Sequence, residues 1–165
     1  MSNNTNKTTG DSSEHCCHDH SCECHSREYD GSILSEVHMN ALIDMSQYSC
    51  LPIARFVMSG KEEDVRFSAL APVFINDLSD SMETVKEIGA ILTYLEQKGL
   101  ITLDYDIPIR GYDYKQYTDS ALYAYFKQTV KDGSGKADFL FDMAEIELGS
   151  MALTESGRNV LSQME

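Results

Sequence analysis

Basic residues are scarce in this 165-residue chain: 13 Lys and Arg stand against 27 Asp and Glu, for a net charge of −14. Such a field repels phosphate, so a nucleic-acid partner would need a local basic patch that the overall charge hides. The segment through Glu28 holds Lys7 and Arg27 against Asp11, Glu14, Asp19, Glu23 and Glu28, a net of −3, which leaves −11 on the remainder. Long apolar runs are also missing. None approaches the roughly 18 residues of a membrane span, which predicts a soluble chain with no membrane partner. The first ten residues contain no apolar stretch that could act as a signal sequence, so the expectation is a cytoplasmic, reduced location. In that location the Asn-x-Thr triplets beginning at Asn3 and Asn6 are chance matches.

Catalytic signatures are absent as well. Gly133-Ser134-Gly135-Lys136 invites comparison with a phosphate-binding loop, but Val130 and Ala137 occupy the positions that need Gly and Ser or Thr. No Gly-x-Ser-x-Gly elbow, His-Glu-x-x-His helix or dinucleotide fingerprint occurs. Outside the N-terminal segment the chain has one histidine, His38, as an imidazole partner for a Ser or Cys nucleophile. The chain therefore reads as a non-enzyme.

What is present is concentrated. His15, Cys16, Cys17, His18, His20, Cys22, Cys24 and His25 fall within eleven residues and include four of the five cysteines and four of the five histidines. Thiolate and imidazole are the ligands preferred by zinc and by other soft or borderline transition metals such as Cu⁺, Ni²⁺ and Cd²⁺. Neighbouring Cys16 and Cys17 are poorly placed to bridge each other, and closing Cys22-x-Cys24 would strain the loop, so metal binding is favoured over disulfides. The spacing matches no closed zinc-finger pattern, and a low-specificity metal scavenger fits the same residues. Cys50 could supply a distant thiol, although its apolar surroundings equally suit a buried cysteine.

Residues 1–29 lack apolar periodicity and read as a flexible Cys/His-rich tail; 30–165 read as one folded domain. A first amphipathic helix is expected from Ser32 as N-cap through Ile33, Leu34, Val37, Ala41, Leu42 and Met45. A second runs from Pro52 through Ile53, Phe56, Val57 and Met58 to Ser59-Gly60, and a third carries Phe67, Leu70, Ala71, Phe74, Ile75 and Leu78 around Pro72. The clearest helix spans Ser81–Lys98, with Val85, Ile88, Leu92 and Leu95 on one stripe and Gly99 as its stop. Leu100–Tyr105 alternates as a strand. Tyr112, Tyr114 and Tyr117 belong to an ordered loop that packs its rings. Asp119 or Ser120 caps a helix through Leu122, Tyr123, Phe126 and Val130, a stretch that could also be a strand. Strands follow around Phe139–Met143, Glu145–Leu148 and Met151–Leu153, and Thr154-x-x-Gly157 opens a closing helix.

Residues 88–101, Ile-Gly-Ala-Ile-Leu-Thr-Tyr-Leu-Glu-Gln-Lys-Gly-Leu-Ile, resemble the recognition helix and first wing strand of bacterial MarR-, PadR- and ArsR-type winged helix-turn-helix regulators. Residues 148–161, Leu-Gly-Ser-Met-Ala-Leu-Thr-Glu-Ser-Gly-Arg-Asn-Val-Leu, resemble their second wing strand and the lead-in to their last helix. The resemblance covers roughly residues 32–162. It implies an α+β fold, a mainly helical winged-helix domain with a small antiparallel wing sheet, here interrupted by an insertion from Asp106 to about Glu145. It also implies a homodimer that meets operator DNA through Thr84, Lys86, Tyr94 and Lys98. Joined to the tail, it predicts a metal-responsive transcriptional regulator. The alternative is a metal-buffering or protein-interaction module whose acidic surface takes a protein partner and does not bind DNA, as the acids Glu83 and Glu87 on the recognition helix suggest. A third reading makes the tyrosine-rich insertion a small-molecule pocket.

Overall fold

A computed structural model of the chain describes residues 34–62 and 64–164, all within a compact unit that runs Gly31–Glu165. In chain order its elements are α1 Glu36–Ser46, β1 Leu51–Ser59, β2 Arg66–Val73, α2 Met82–Gln97, β3 Ile101–Asp104, α3 Lys115–Thr118, α4 Ala121–Gly133, β4 Met143–Leu153 and α5 Glu155–Ser162. The strands form one antiparallel sheet in the order β2-β1-β4-β3.

This is α+β, but it is not the mainly helical winged helix expected above. The second and third expected helices are the strands β1 and β2. Ile53, Phe56 and Val57 have the i, i+3, i+4 spacing of a helical stripe, yet all three are buried in β1, which lies between β2 and β4. A strand covered on both faces buries odd and even positions alike, so its apolar residues lose the period of two that marks a half-exposed strand. The expected insertion is corrected too. β3 and β4 are adjacent strands of the main sheet, and α4, which lies between them in sequence, supplies core residues.

The elements with strong end signals fall where the sequence placed them. Ser81 caps α2, its Oγ accepting from the Thr84 N–H at 3.1 Å, and Gly99 ends it with φ 71°. Ser120 and Thr154 cap α4 and α5 in the same way, through the Tyr123 and Gly157 N–H groups. Such caps satisfy donors that the first helical turn cannot. For α1 the N-cap is Ser35; Ser32 lies outside the described residues.

Register sorts the two sheet faces. Ala54 pairs with Leu148 and Phe56 with Ile146, and this face packs on Leu122, Tyr123, Phe126 and Val130 of α4. Phe56 stacks on Phe126 with ring centroids 5.3 Å apart. The opposite face carries Leu51 paired with Met151 and Arg55 paired with Glu147. At its Met151 end it meets α1 and α2. The tyrosine-rich loop is clamped to the sheet: the Tyr117 hydroxyl donates to the Pro52 carbonyl at 2.7 Å, and the Tyr114 hydroxyl donates to the Gly149 carbonyl at 2.6 Å while accepting from the Ile109 N–H at 2.8 Å.

Candidate functional site

The expected metal ligands His15, Cys16, Cys17, His18, His20, Cys22, Cys24 and His25 lie outside the described residues. Among the described residues no group of three or more His, Cys, Asp or Glu side chains is placed to hold a metal. Cys50 is a half-buried free thiol between α1 and β1. His38 on α1 has its Nδ1 2.6 Å from the Ser35 Oγ and its ring centroid 4.3 Å from that of Tyr94.

The expected DNA contacts all fall on α2 or its C-cap, but they do not make a basic strip. Thr84 is spent at the helix start, with its Oγ1 2.9 Å from the Ser81 Oγ. Tyr94 is half-buried between His38 and Lys98, whose Nζ lies 5.4 Å from the ring centroid. Lys86 is exposed, but so are Glu83 and Glu87 on the same turns. The face that the resemblance assigned to phosphate therefore carries acids beside its bases, and the aromatic ring on it is held by intramolecular contacts.

The tyrosine cluster fills space. Tyr112 meets Tyr114 edge-on at 4.8 Å, and Tyr114 and Tyr117 are buried in the core. Burial raises the phenol pKa of Tyr114 and Tyr117 because the charged phenolate is the form that loses water. Tyr105 lies elsewhere, beneath the Arg55 guanidinium at 4.6 Å from its centroid. Its pKa is pushed up to about 12, first by burial and then by the Glu96 carboxylate, with Arg55 opposing.

Arg55 also belongs to a charge cluster that sequence reasoning did not find. Its Nε donates to Glu147 Oε2 at 2.6 Å, and Arg66 Nη2 from β2 donates to Glu147 Oε1 at 2.8 Å. Arg66 Nη2 also lies 3.2 Å from Glu145 Oε2, off the hydrogen-bonding direction, so that oxygen has charge attraction without a hydrogen bond. The arginines lie 79 to 92 positions from the glutamates they meet, so no local spacing could reveal the cluster. Two arginines balance two glutamates, and the patch is neutral.

A groove of about 520 Å³ opens where α1 crosses α2 over the Leu51–Met151 end of the sheet. α1 buries only Leu42 and Met45, and Val37, Ala41 and Asp44 on its adjacent stripe, followed by Tyr48 just past its end, form one wall. Ile88, Ile91 and Leu92 of α2 form the other, with Phe74 and Asn76 at one end. Val37 is 56% exposed and Tyr48 60%. The sequence did show Val37 and Ala41 as apolar helix positions, which read as core until the crossing of α1 and α2 is known.

No helix among the described residues is long and apolar enough to cross a membrane. No protein-family model matches the chain, and no curated protein matches it. A solved structure described as an uncharacterized protein from the hydrocarbon-degrading marine bacterium Alcanivorax borkumensis is similar over 81% of this chain and 87% of its own, with a TM-score of 0.44 and 13% identity. A likeness at that level transfers neither a family nor an activity.

Proposed function

We propose that this chain is a cytoplasmic metal-capturing protein, in which His15, Cys16, Cys17, His18, His20, Cys22, Cys24 and His25 hold zinc or another soft or borderline ion and the acidic α+β body recognises other molecules. The observation that carries it is the density of eight thiol and imidazole ligands in eleven residues. The regulator reading has lost the winged-helix scaffold on which it rested. Its expected DNA-reading helix mixes Glu83 and Glu87 with Lys86 on a body of net charge −11.

The test is a titration of the full, reduced chain with Zn²⁺, Cu⁺, Ni²⁺ and Cd²⁺. Saturable binding is expected, with ultraviolet thiolate-to-metal absorption for Cd²⁺ and Cu⁺, and proton release as the thiols ionise. Replacing Cys16, Cys17, Cys22 and Cys24 together with Ser should remove the thiolate signal, whereas Cys50→Ser should leave it. A signal that survives the fourfold replacement would sink the proposal. Salt-sensitive mobility shift of DNA by the metal-free chain, lost on adding metal, would reinstate the regulator.

A further inference from the structure

We infer that the groove between α1 and α2 binds a small cationic amphipath, a molecule with an apolar body and an ammonium or amidinium head. Its volume of about 520 Å³ falls within the range of sites that enclose small organic ligands. Val37, Ala41, Ile88, Ile91, Leu92 and Met151 give it an apolar lining. Ala41 is central to this. It stands on the α1 stripe between Val37 and Asp44, and its single methyl leaves open the space that a larger side chain would fill.

The charge of the head follows from what the lining offers. Asp44 is the one charged side chain in the lining, the amides of Asn40, Gln47 and Asn76 can accept or donate, and no Lys, Arg or His lines the groove. Asp44 makes no ion pair among the described residues. Asp77 and Asp80, in the turn beyond Asn76, lie outside the lining, and their carboxylates are bound within that turn: Asp80 Oδ2 accepts from the Asn76 N–H at 2.8 Å and Asp77 Oδ1 from the Ser79 N–H at 2.8 Å. An anionic head would meet the Asp44 carboxylate on a body of net charge −11, whereas a cation is complementary to both. Tyr48, at the lip, offers an exposed ring face to the same charge.

This site is independent of metal capture, so the test is run on the full chain with and without a chelator. Decyltrimethylammonium, a decyl glycoside and decyl sulfate, each below its micelle concentration, are titrated calorimetrically. The expected order is ammonium, then glycoside, then sulfate, unchanged by chelator. Asp44→Asn, at an exposed position, should weaken the ammonium roughly fivefold, the scale of one partly screened ion pair, and leave the glycoside alone. Ala41→Trp should reduce all three. If that variant does not fold, Ile88→Ala, expected to weaken the ammonium and the glycoside alike, takes its place. Equal binding of ammonium and sulfate, or an Asp44→Asn chain that binds both probes as before, overturns the inference. So does a concentration-dependent dimer that Val37→Glu dissociates and that excludes the probes, because a second copy would then be the occupant.

Discussion

Replacing Tyr114 by Phe should destabilise the body about twice as much as replacing Tyr117 by Phe, although the two rings are buried almost equally, at 3% and 0% exposure. Each change removes one oxygen and leaves the ring in place, so the packing loss is small in both. The difference lies in the partners left behind. The Tyr117 hydroxyl makes one hydrogen bond of good geometry, to the Pro52 carbonyl, while the Ile75 N–H and the Gln116 side chain approach its oxygen more loosely. The Tyr114 hydroxyl serves two, accepting from the Ile109 N–H and donating to the Gly149 carbonyl. A buried polar group left without its partner costs about 1–3 kcal/mol. A carbonyl oxygen keeps a second lone pair for another donor and the Ile109 N–H is only part-buried, so the lower half of that range applies to each orphan. The expectation is about 1–2 kcal/mol for Tyr117→Phe and about 2–4 kcal/mol for Tyr114→Phe. Tyr114 also holds a left-handed backbone, φ 53°, at the start of α3, and its two hydrogen bonds help maintain that strained position. Urea unfolding followed by far-ultraviolet circular dichroism measures both, and Tm should fall by roughly 3–5 °C per kcal/mol for a body of this size. The reasoning is refuted if Tyr114→Phe costs no more than Tyr117→Phe, or if neither exceeds about 0.5 kcal/mol, the range of ordinary surface changes.

Three further outcomes follow from the same structure. Gly149→Ala should abolish the native fold or cost at least about 3 kcal/mol, the upper range for overpacking, because its Cβ would overlap the Asp104 carbonyl oxygen and lie 2.6 Å from Tyr105 Cα; a soluble variant with wild-type Tm would disprove that approach. Ser81→Ala should cost about 1 kcal/mol by freeing the Thr84 N–H that Ser81 Oγ now accepts, whereas Ser81→Asp should keep the stability, both read by chemical denaturation. Tyr105 has its pKa raised from an ordinary 10 to about 12. The neutral phenol is therefore the form that the fold prefers, its contribution is complete below pH 10, and stability is lost as pH rises from about 10 towards 12. Tyr114, Tyr117 and Tyr123 are shifted in the same direction, so Tyr105→Phe should lessen the slope of that part of the pH–stability curve, and an unchanged slope would count against the assignment.

How far the chain can be read without its structure depends on where the informative contacts lie. The α2 helix, its Ser81 cap and Gly99 stop, the strand Ile101–Asp104, and the caps of α4 and α5 are local: each is set by residues within four positions of one another. Those elements were legible. β1 and β2 were not: β1 is central and buried along both faces, so its apolar residues lose the period of two, while β2 is an edge strand exposed over Arg66–Ala69 and buried only at Pro72 and Val73, so its apolar residues do not alternate either. The same error made a winged helix of the fold, since β1 and β2 were counted as helices in front of a real helix–strand pair. The Arg55–Glu147–Arg66 cluster joins residues more than eighty positions apart, and the α1–α2 groove depends on how two helices cross, so neither has a signature in sequence.

By itself the sequence determined the acidity, the concentration of thiol and imidazole ligands between His15 and His25, the absence of the common catalytic motifs, and the helices whose ends are capped by their own neighbours. These are properties of composition and short-range hydrogen bonding, which need no partner from elsewhere in the chain. Only the tertiary structure decided that Leu51–Ser59 is a strand, that the tyrosines of the loop clamp Pro52 and Gly149, and that Val37 and Ala41 line an open groove. Burial on both faces, hydrogen bonds across the sheet and the crossing of α1 over α2 arise only when distant segments meet.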